Sequence, residues 1–143
     1  MDEFAGERAV MKRVGIYAKV QDPRCREVAG ELIAWLNGRG LVPMVEGCLS
    51  RYLEWDDGVD ADELPALVDL VVVLGGDGTL ISAARRIGVR EVPILGINLG
   101  SLGFLTEIPV SGMYAALDSY LSGNCRISER MMLEVSVVRH GQE

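Results

Sequence analysis

Apolar residues follow two different spacings along this chain, and the two spacings alternate from one segment to the next. Short runs rich in β-branched residues have the length of buried strands, and between them apolar residues recur every three or four positions, as in amphipathic helices. This alternation predicts a doubly wound α/β fold, with a mostly parallel sheet and flanking helices. The predicted strands are 13–19, 41–46, 67–74 and 92–97, and the predicted helices are 22–38, 79–87 and 110–121.

The most apolar run, residues 68–74 (VDLVVVL), is followed directly by a glycine-rich segment, residues 75–80 (GGDGTL). A run of this kind predicts a strand buried on both faces of a parallel sheet. The glycines predict a tight turn, and Thr79 is predicted to cap the helix that follows. Backbone N–H groups point outward at such corners and bind phosphates. Asp77 is poorly suited to bind an anion there, but it is well suited to handle a hydroxyl group beside one.

A second loop with glycines and polar residues, residues 98–107 (NLGSLGFLTE), follows the strand at 92–97. Asn98 supplies a donor and an acceptor, the two glycines permit close approach of a ligand, and Phe104 offers a flat face. The alternative is that the apolar side chains of this loop plug the end of the sheet. Both loops leave the carboxyl ends of strands, with one helix and one strand between them, so we expect them to flank one crevice. Two such loops favour a ligand site over packing.

Two segments do not follow the alternation of strands and helices. Residues 49–63 are acidic and lack a periodic apolar pattern, which predicts a mobile surface loop. Tyr52 and Trp55 in this loop are expected to pin it to the body of the protein rather than to cover a ligand. Residues 126–139 look extended, and they either add an edge strand or begin a further domain. We therefore predict an α/β domain over 1–127, and a linker with the first strand of a β-rich domain over 128–143.

Composition narrows the classes of partner. The 143 residues suit one globular domain, and the formal net charge of −7 disfavours nucleic acid and anionic membranes as partners. No segment approaches the roughly 20 apolar residues of a membrane span. The three cysteines lack metal-ligand spacing, which favours free thiols in a reducing cytoplasm. With His140 as the single histidine, a histidine triad or zinc site cannot be built within this chain, and no metal-binding residue is predicted.

The two loops together carry a specific resemblance, although the P-loop pattern and the GxGxxG pattern are both absent. Residues 74–80 (LGGDGTL) and 94–107 (ILGINLGSLGFLTE) closely resemble the NAD kinase family. Residues 129–135 (ERMMLEV) are similar to the family's junction between its two domains, and the resemblance spans about residues 12–139. The GGDG segment also occurs in diacylglycerol, sphingosine and phosphofructo-kinases, whereas NLGSLGFLTE is particular to NAD kinases.

The resemblance implies transfer of the γ-phosphoryl group of ATP, or of polyphosphate, to the 2′-hydroxyl of the adenosine ribose of NAD. The product would be NADP, and Mg²⁺ or another divalent cation would assist with ATP. Asp77 would be the proton acceptor. The predicted nucleotide-binding residues are Gly75, Gly76, Asp77, Gly78 and Thr79 in the first loop, and Asn98, Phe104 and Leu105 in the second.

The chain also departs from the family it resembles. NAD kinases carry a second, β-rich domain with an Asn-Glu motif that grips NAD, and this sequence has no Asn-Glu pair. We therefore expect an N-terminal domain that is inactive alone and binds NAD weakly, from a cytoplasmic protein that forms homodimers or homotetramers at full length. The alternatives are a diacylglycerol-type lipid kinase domain, a non-catalytic nucleotide-binding module and a flavodoxin-like fold without a ligand.

Overall fold

A single parallel sheet organises the computed structural model, which describes residues 12–141. Its strands run in the spatial order β2-β1-β3-β4-β5, and every neighbouring pair is parallel. The predicted doubly wound α/β fold is therefore confirmed. The strands are β1 (Arg13–Ala18), β2 (Val42–Val45), β3 (Leu70–Gly75), β4 (Ile94–Asn98) and β5 (Ile108–Pro109).

Helices cover both faces of this sheet. The side chains of Val14, Ile16 and Val72 pack with the helices Cys25–Gly38 and Met113–Leu121, while those of Val71 and Val73 pack with the helix Asp77–Ile87 on the opposite face. Alternate side chains of a strand point to opposite faces, so β3 is buried along its whole length, as its sequence predicts. The helices are α1 (Cys25–Gly38), α2 (Gly47–Tyr52), α3 (Asp77–Ile87) and α4 (Met113–Leu121), with 3₁₀ turns at Leu64–Ala66 and Val110–Gly112.

Two predicted helix starts are wrong. The helix predicted from residue 22 begins at Cys25, because Asp22 closes a turn in which its carboxylate accepts the N–H of Arg24 at 2.9 Å. The helix after β3 begins at Asp77 with Gly76 at the N-cap, which places Thr79 inside the first turn rather than at the cap. The start of α3 therefore has no side-chain cap hydrogen bond.

The prediction of one irregular loop over residues 49–63 is also wrong in part, because α2 occupies its beginning. Glu46 caps α2, and its carboxylate accepts the N–H groups of Cys48 and Leu49 at 2.8 and 3.2 Å. The prediction for the two aromatic residues is confirmed, since Tyr52 and Trp55 are half-buried against the core under α1.

The extended segment near the end does not join the sheet. Residues 124–138 contain no helix or strand and are exposed, so the edge-strand alternative is wrong. The outer strand beside β4 is β5, which the apolar pattern does not reveal because it has only two residues, Ile108 and Pro109. Residues 1–11 and 142–143 of the predicted domains lie outside the described residues. Among the helices described, none has the length and apolar character needed to cross a membrane.

Candidate nucleotide-binding site

The two loops singled out in the sequence leave the sheet side by side. Gly75, at the end of β3, is the register partner of Asn98, at the end of β4, and the N–H of Leu99 donates to the carbonyl of Gly75 at 3.0 Å. The strand order reverses between β1 and β3, so the loop after β3 also borders the switch point at which open α/β sheets bind ligands. The prediction that the two loops lie side by side at one edge of the sheet is therefore confirmed.

The glycine loop presents open backbone at the start of α3. The N–H groups of Asp77, Gly78 and Thr79 belong to the first turn, so the helix holds no carbonyl one turn earlier to accept them. A Cβ atom added at Gly76 or Gly78 would meet nothing within 4 Å, which shows free space above both residues. This space and the positive end of the helix dipole suit an anionic group such as a phosphate.

Gly75 has a different role from its neighbours. A Cβ atom there would lie 2.7 Å from the hydroxyl oxygen of Thr79 and 3.3 Å from the Cβ of Lys19. The missing side chain therefore lets the first turn of α3 pack directly onto the end of β3. Gly75 shapes the corner through this close approach, as expected for a loop that is held rigidly.

The carboxylate of Asp77 is bound to the second loop. Its Oδ2 accepts the N–H of Phe104 at 2.9 Å. Its Oδ1 accepts the N–H groups of Leu105 and Thr106 at 3.1 and 3.0 Å, and the hydroxyl of Thr106 at 2.9 Å. Gly103 is needed for this contact, because a Cβ atom at that position would lie 2.6 Å from the Cγ of Asp77. The close approach that Gly103 permits is thus to the carboxylate of Asp77.

These donors set the charge state of Asp77. The N–H of Thr106 above all, followed by those of Phe104 and Leu105 and by the Thr106 hydroxyl, lowers the pKa of the Asp77 carboxyl from its ordinary value, against an opposing effect of desolvation. Asp77 is therefore ionised at neutral pH. A lowered pKa stabilises the fold above the ordinary value of about 4, and this contribution is lost as the pH falls through the folded-state value.

Asn98 and Thr106 connect the two ends of the second loop beneath the surface. The Nδ2 of Asn98 donates to the hydroxyl oxygen of Thr106 at 2.8 Å, and its Oδ1 accepts the N–H of Gly100 at 2.7 Å. Asn98 is 5% exposed and Thr106 is fully buried. The side chain of Asn98, which the sequence nominates for nucleotide binding, is thus engaged within the protein.

The apolar residues of the second loop face outward. Phe104 is 92% exposed, and Leu102 and Leu105 are exposed as well. The alternative in which these side chains plug the end of the sheet is therefore wrong. They leave an unfilled apolar surface beside the carboxylate of Asp77, of the kind that a flat aromatic base covers.

Two basic residues beside the crevice were not nominated from the sequence. Lys19 follows β1 directly, and its N–H donates to the carbonyl of Leu74 at 2.8 Å. Arg24 is held by the carboxylate of Asp22 at 2.9 Å, and its Nη2 would lie 3.3 Å from a Cβ atom at Gly100. The signal for Lys19 is its position directly after a central strand, and the signal for Arg24 is its position in the loop between that strand and α1.

The two arginines of α3, Arg85 and Arg86, are exposed. Arg86 bonds the hydroxyl of Ser82 at 2.6 Å and pairs with Asp62 at 3.3 Å, on the exposed side of the helix. Within residues 12–141, no three histidine, cysteine, aspartate or glutamate side chains are grouped so that they could hold a metal ion.

The fold is of the doubly wound α/β class, and the two adjacent loops form a candidate nucleotide site in it. Within that class, the family described as ATP-NAD kinase N-terminal domain matches residues 14–125, and the chain belongs to this family. This result confirms the resemblance carried by the two loops, and it places the chain outside the diacylglycerol-type lipid kinases.

Curated proteins named NAD kinase align with nearly the whole chain. The NAD kinase of Geobacter sulfurreducens is 60% identical over 133 residues, which are 93% of this chain and 47% of the relative. The NAD kinase of Geobacter metallireducens is 59% identical over 129 residues, which are 90% of this chain and 45% of the relative. The chain therefore spans about half the length of the curated relatives it matches.

A solved structure has the same fold. The crystal structure of yeast NADH kinase complexed with NADH superimposes with a TM-score of 0.70 at 23% sequence identity, over 80% of this chain and 39% of that one. At this identity the likeness establishes the fold alone, and it agrees with the five-stranded parallel sheet described above.

Proposed function

We propose that this chain is the N-terminal half of an NAD kinase, which transfers the γ-phosphoryl group of ATP to the 2′-hydroxyl of the adenosine ribose of NAD. The observation that carries this proposal is the placement of Asp77. Its ionised carboxylate is fixed at the boundary between an open glycine loop and an exposed apolar surface. In a nucleotide, the ribose hydroxyls lie between the phosphates and the base, so a nucleotide bound across this boundary would bring a ribose hydroxyl to Asp77.

The geometry of the two loops supports a placement of the substrate groups. The free N–H groups at the start of α3 and the open space at Gly76 and Gly78 suit phosphate oxygens. The exposed ring of Phe104, with Leu105 beside it, suits the adenine base. Asp77 lies between these two regions, since it begins α3 and accepts the N–H of Phe104.

The reaction needs positioning more than strong base chemistry. The bond between the 2′-oxygen and the γ-phosphorus forms as the bond between that phosphorus and the β,γ-bridging oxygen breaks, and ADP leaves. The hydroxyl proton passes to Asp77. A carboxylate with a lowered pKa is a weak base, but it holds the attacking oxygen in line, and the transition state of phosphoryl transfer is largely dissociative.

Magnesium enters this scheme as part of the phosphoryl donor. The described residues offer no cluster of ligands for a resident ion, and Mg²⁺ commonly binds through substrate phosphates with several waters. Lys19 and Arg24, at the side of the crevice next to β1, are the basic residues placed to meet the phosphates of the donor. Polyphosphate, which also carries linked phosphates, remains the other candidate donor.

The part of the relatives that this chain does not match bears on its activity. Because the curated relatives are about twice as long, we expect this chain alone to bind NAD weakly and to lack turnover. The segment at 128–141 is then the start of a β-rich region, and the whole protein is a homodimer or homotetramer. A cytoplasmic location is consistent with free thiols at all three cysteines.

The test is formation of NADP by the protein expressed from its complete reading frame, with NAD and MgATP. The proposal predicts turnover that falls by about 10²–10⁴-fold in Asp77→Asn, because a positioned proton acceptor contributes roughly that factor. Asp57→Asn, a change of the same kind at an exposed residue, serves as the control and should leave the rate unchanged. Binding of NAD without turnover would instead support a non-catalytic nucleotide-binding module.

A further inference from the structure

The hydrogen bonds beneath the crevice form a directed chain that ends on one oxygen of Asp77. We propose that Thr106 is a positioning residue, which fixes Asp77 so that Oδ2, and not Oδ1, accepts the proton of the substrate hydroxyl. This inference deepens the proposed function and rests on it for the identity of the reaction. Thr106 is fully buried, so it acts through Asp77 and does not touch the substrate.

The direction of each hydrogen bond in the chain follows from the chemistry of its partners. The N–H of Gly100 can only donate, so the group of Asn98 that faces it at 2.7 Å is the carbonyl oxygen Oδ1. The amide nitrogen of Asn98 then faces Thr106 at 2.8 Å and can only donate to its hydroxyl oxygen. The single proton of the Thr106 hydroxyl is therefore left to donate to Oδ1 of Asp77, at 2.9 Å.

The two carboxylate oxygens of Asp77 are consequently unequal. Oδ1 accepts three donors, two from Thr106 and one from Leu105, while Oδ2 accepts only the N–H of Phe104. A carboxylate oxygen offers about two lone-pair sites, so Oδ1 is saturated and Oδ2 keeps one site open. A ribose hydroxyl can therefore donate to Oδ2 without displacing any of the existing bonds.

Thr106 has two functional groups that can be separated by substitution. Its methyl group faces β4, where a Cβ atom at Gly96 would lie 3.1 Å from Cγ2, and its hydroxyl joins Asn98 to Asp77. Thr106→Val keeps the methyl contact and removes the hydroxyl. Thr106→Ser keeps the hydroxyl and removes the methyl contact, so the two variants form a matched pair.

The kinetic test uses the protein expressed from its complete reading frame, with NAD and MgATP. Thr106→Val should lower kcat by roughly 10–100-fold, because misplacement of a reacting group by a fraction of an ångström to 1 Å has effects of that order, with little change in the KM for NAD. Thr106→Ser should retain most of kcat. An unchanged kcat in Thr106→Val, or equal losses in both variants, would overturn the proposal, since packing alone would then explain the residue.

A second readout does not depend on turnover, and it separates a failure of this inference from a failure of the proposed function. In this chain, the side-chain carbon signal of Asp77 is followed by NMR as the pH is lowered. The pKa should rise in Thr106→Val relative to the unchanged chain and to Thr106→Ser. If the pKa is the same in all three proteins, Thr106 does not act on Asp77, whatever the reaction.

If Thr106→Val does not fold, the hydrogen bond from the Thr106 hydroxyl to Asp77 can be tested in the unsubstituted chain. The hydroxyl proton of Thr106 should exchange slowly with water, and its chemical shift should follow the titration of Asp77. A hydroxyl chemical shift that does not change as Asp77 titrates would overturn the inference. Absence of NAD phosphorylation by the complete protein, together with a shift that follows Asp77, would refute the proposed reaction and leave the positioning role standing.

Discussion

Replacement of Asn98 by alanine tests whether its buried hydrogen bonds hold the second loop in its conformation. The change removes the bonds from Asn98 Nδ2 to Thr106 and from the Gly100 N–H to Asn98 Oδ1, at 2.8 and 2.7 Å. Each intramolecular hydrogen bond contributes about 0.5–1.5 kcal/mol, so the two together correspond to about 1–3 kcal/mol of unfolding free energy. Because Asn98 is only 5% exposed, water cannot easily replace the lost partners.

The assay is urea unfolding of this chain, followed by the fluorescence of its two tryptophans. The Asn98→Ala midpoint should fall at an unchanged slope, since the surface exposed on unfolding is the same. Asn124→Ala, at an exposed position after α4, is the control and should stay within about 0.5 kcal/mol of the unchanged chain. A loss below about 0.5 kcal/mol for Asn98→Ala would refute the reasoning, because two buried bonds would then contribute nothing measurable.

Asn98→Asp adds a test of direction. An aspartate keeps the acceptor for the Gly100 N–H, but it replaces the donor to Thr106 with a second carboxylate oxygen. The single Thr106 proton would then be shared between two acids, and Asp77 is the other. We expect Asn98→Asp to be less stable than Asn98→Ala at pH 7, with the difference shrinking as the pH is lowered. A difference that does not change with pH would contradict the assigned directions.

Three further predictions concern the loop glycines, the cysteines and Tyr17. Gly103→Ala should weaken NAD binding and shift the NMR signals of the second loop, because the new Cβ atom would lie 2.6 Å from the Cγ of Asp77. Gly100→Ala is the control and should be tolerated, since the atom nearest to its new Cβ, at 3.3 Å, is the end of the flexible Arg24 side chain. Thiol titration at pH 8 should modify two cysteines quickly and Cys25 only on unfolding, because burial raises the pKa of the Cys25 thiol to about 11 and its side chain is fully buried. Spectroscopic titration should show Tyr17 ionising last, because burial raises its pKa to about 12. The neutral form of Tyr17 stabilises the fold below pH 10, and this contribution is lost between pH 10 and 12. Equal reactivity of all three thiols, or ionisation of every tyrosine near pH 10, would contradict the burial of these residues.

Much of the fold was readable from the sequence because local and tertiary signals agree. The β-branched run at 68–74 forms the central strand, and the two glycine-rich loops lie at adjacent strand ends. The alternation of strands and helices predicts a parallel sheet, whose strands end at one edge. The two loops could therefore be assigned to the same edge from the order of the elements alone.

The details that failed depend on contacts that the sequence pattern does not encode. The two-residue strand β5 is set by pairing with β4, and α2 is set by the carboxylate of Glu46 at its N-cap. Gly103 is compatible with a ligand contact or with a protein contact, and only the structure shows that it faces Asp77. Thr106 was not predicted as a site residue, because the sequence does not show whether a buried threonine in a loop acts through its hydroxyl or through its methyl group.

The central claim is that the two loops form one nucleotide site centred on Asp77, and an NMR titration of this chain with NAD tests it most directly. The account predicts that amide signals of residues 75–79 and 98–106 move together as NAD is raised into the millimolar range, and that the Asp77→Asn variant loses most of this response. If no signal moves, or if the signals that move lie in another part of the chain, the site is misplaced and the account is wrong.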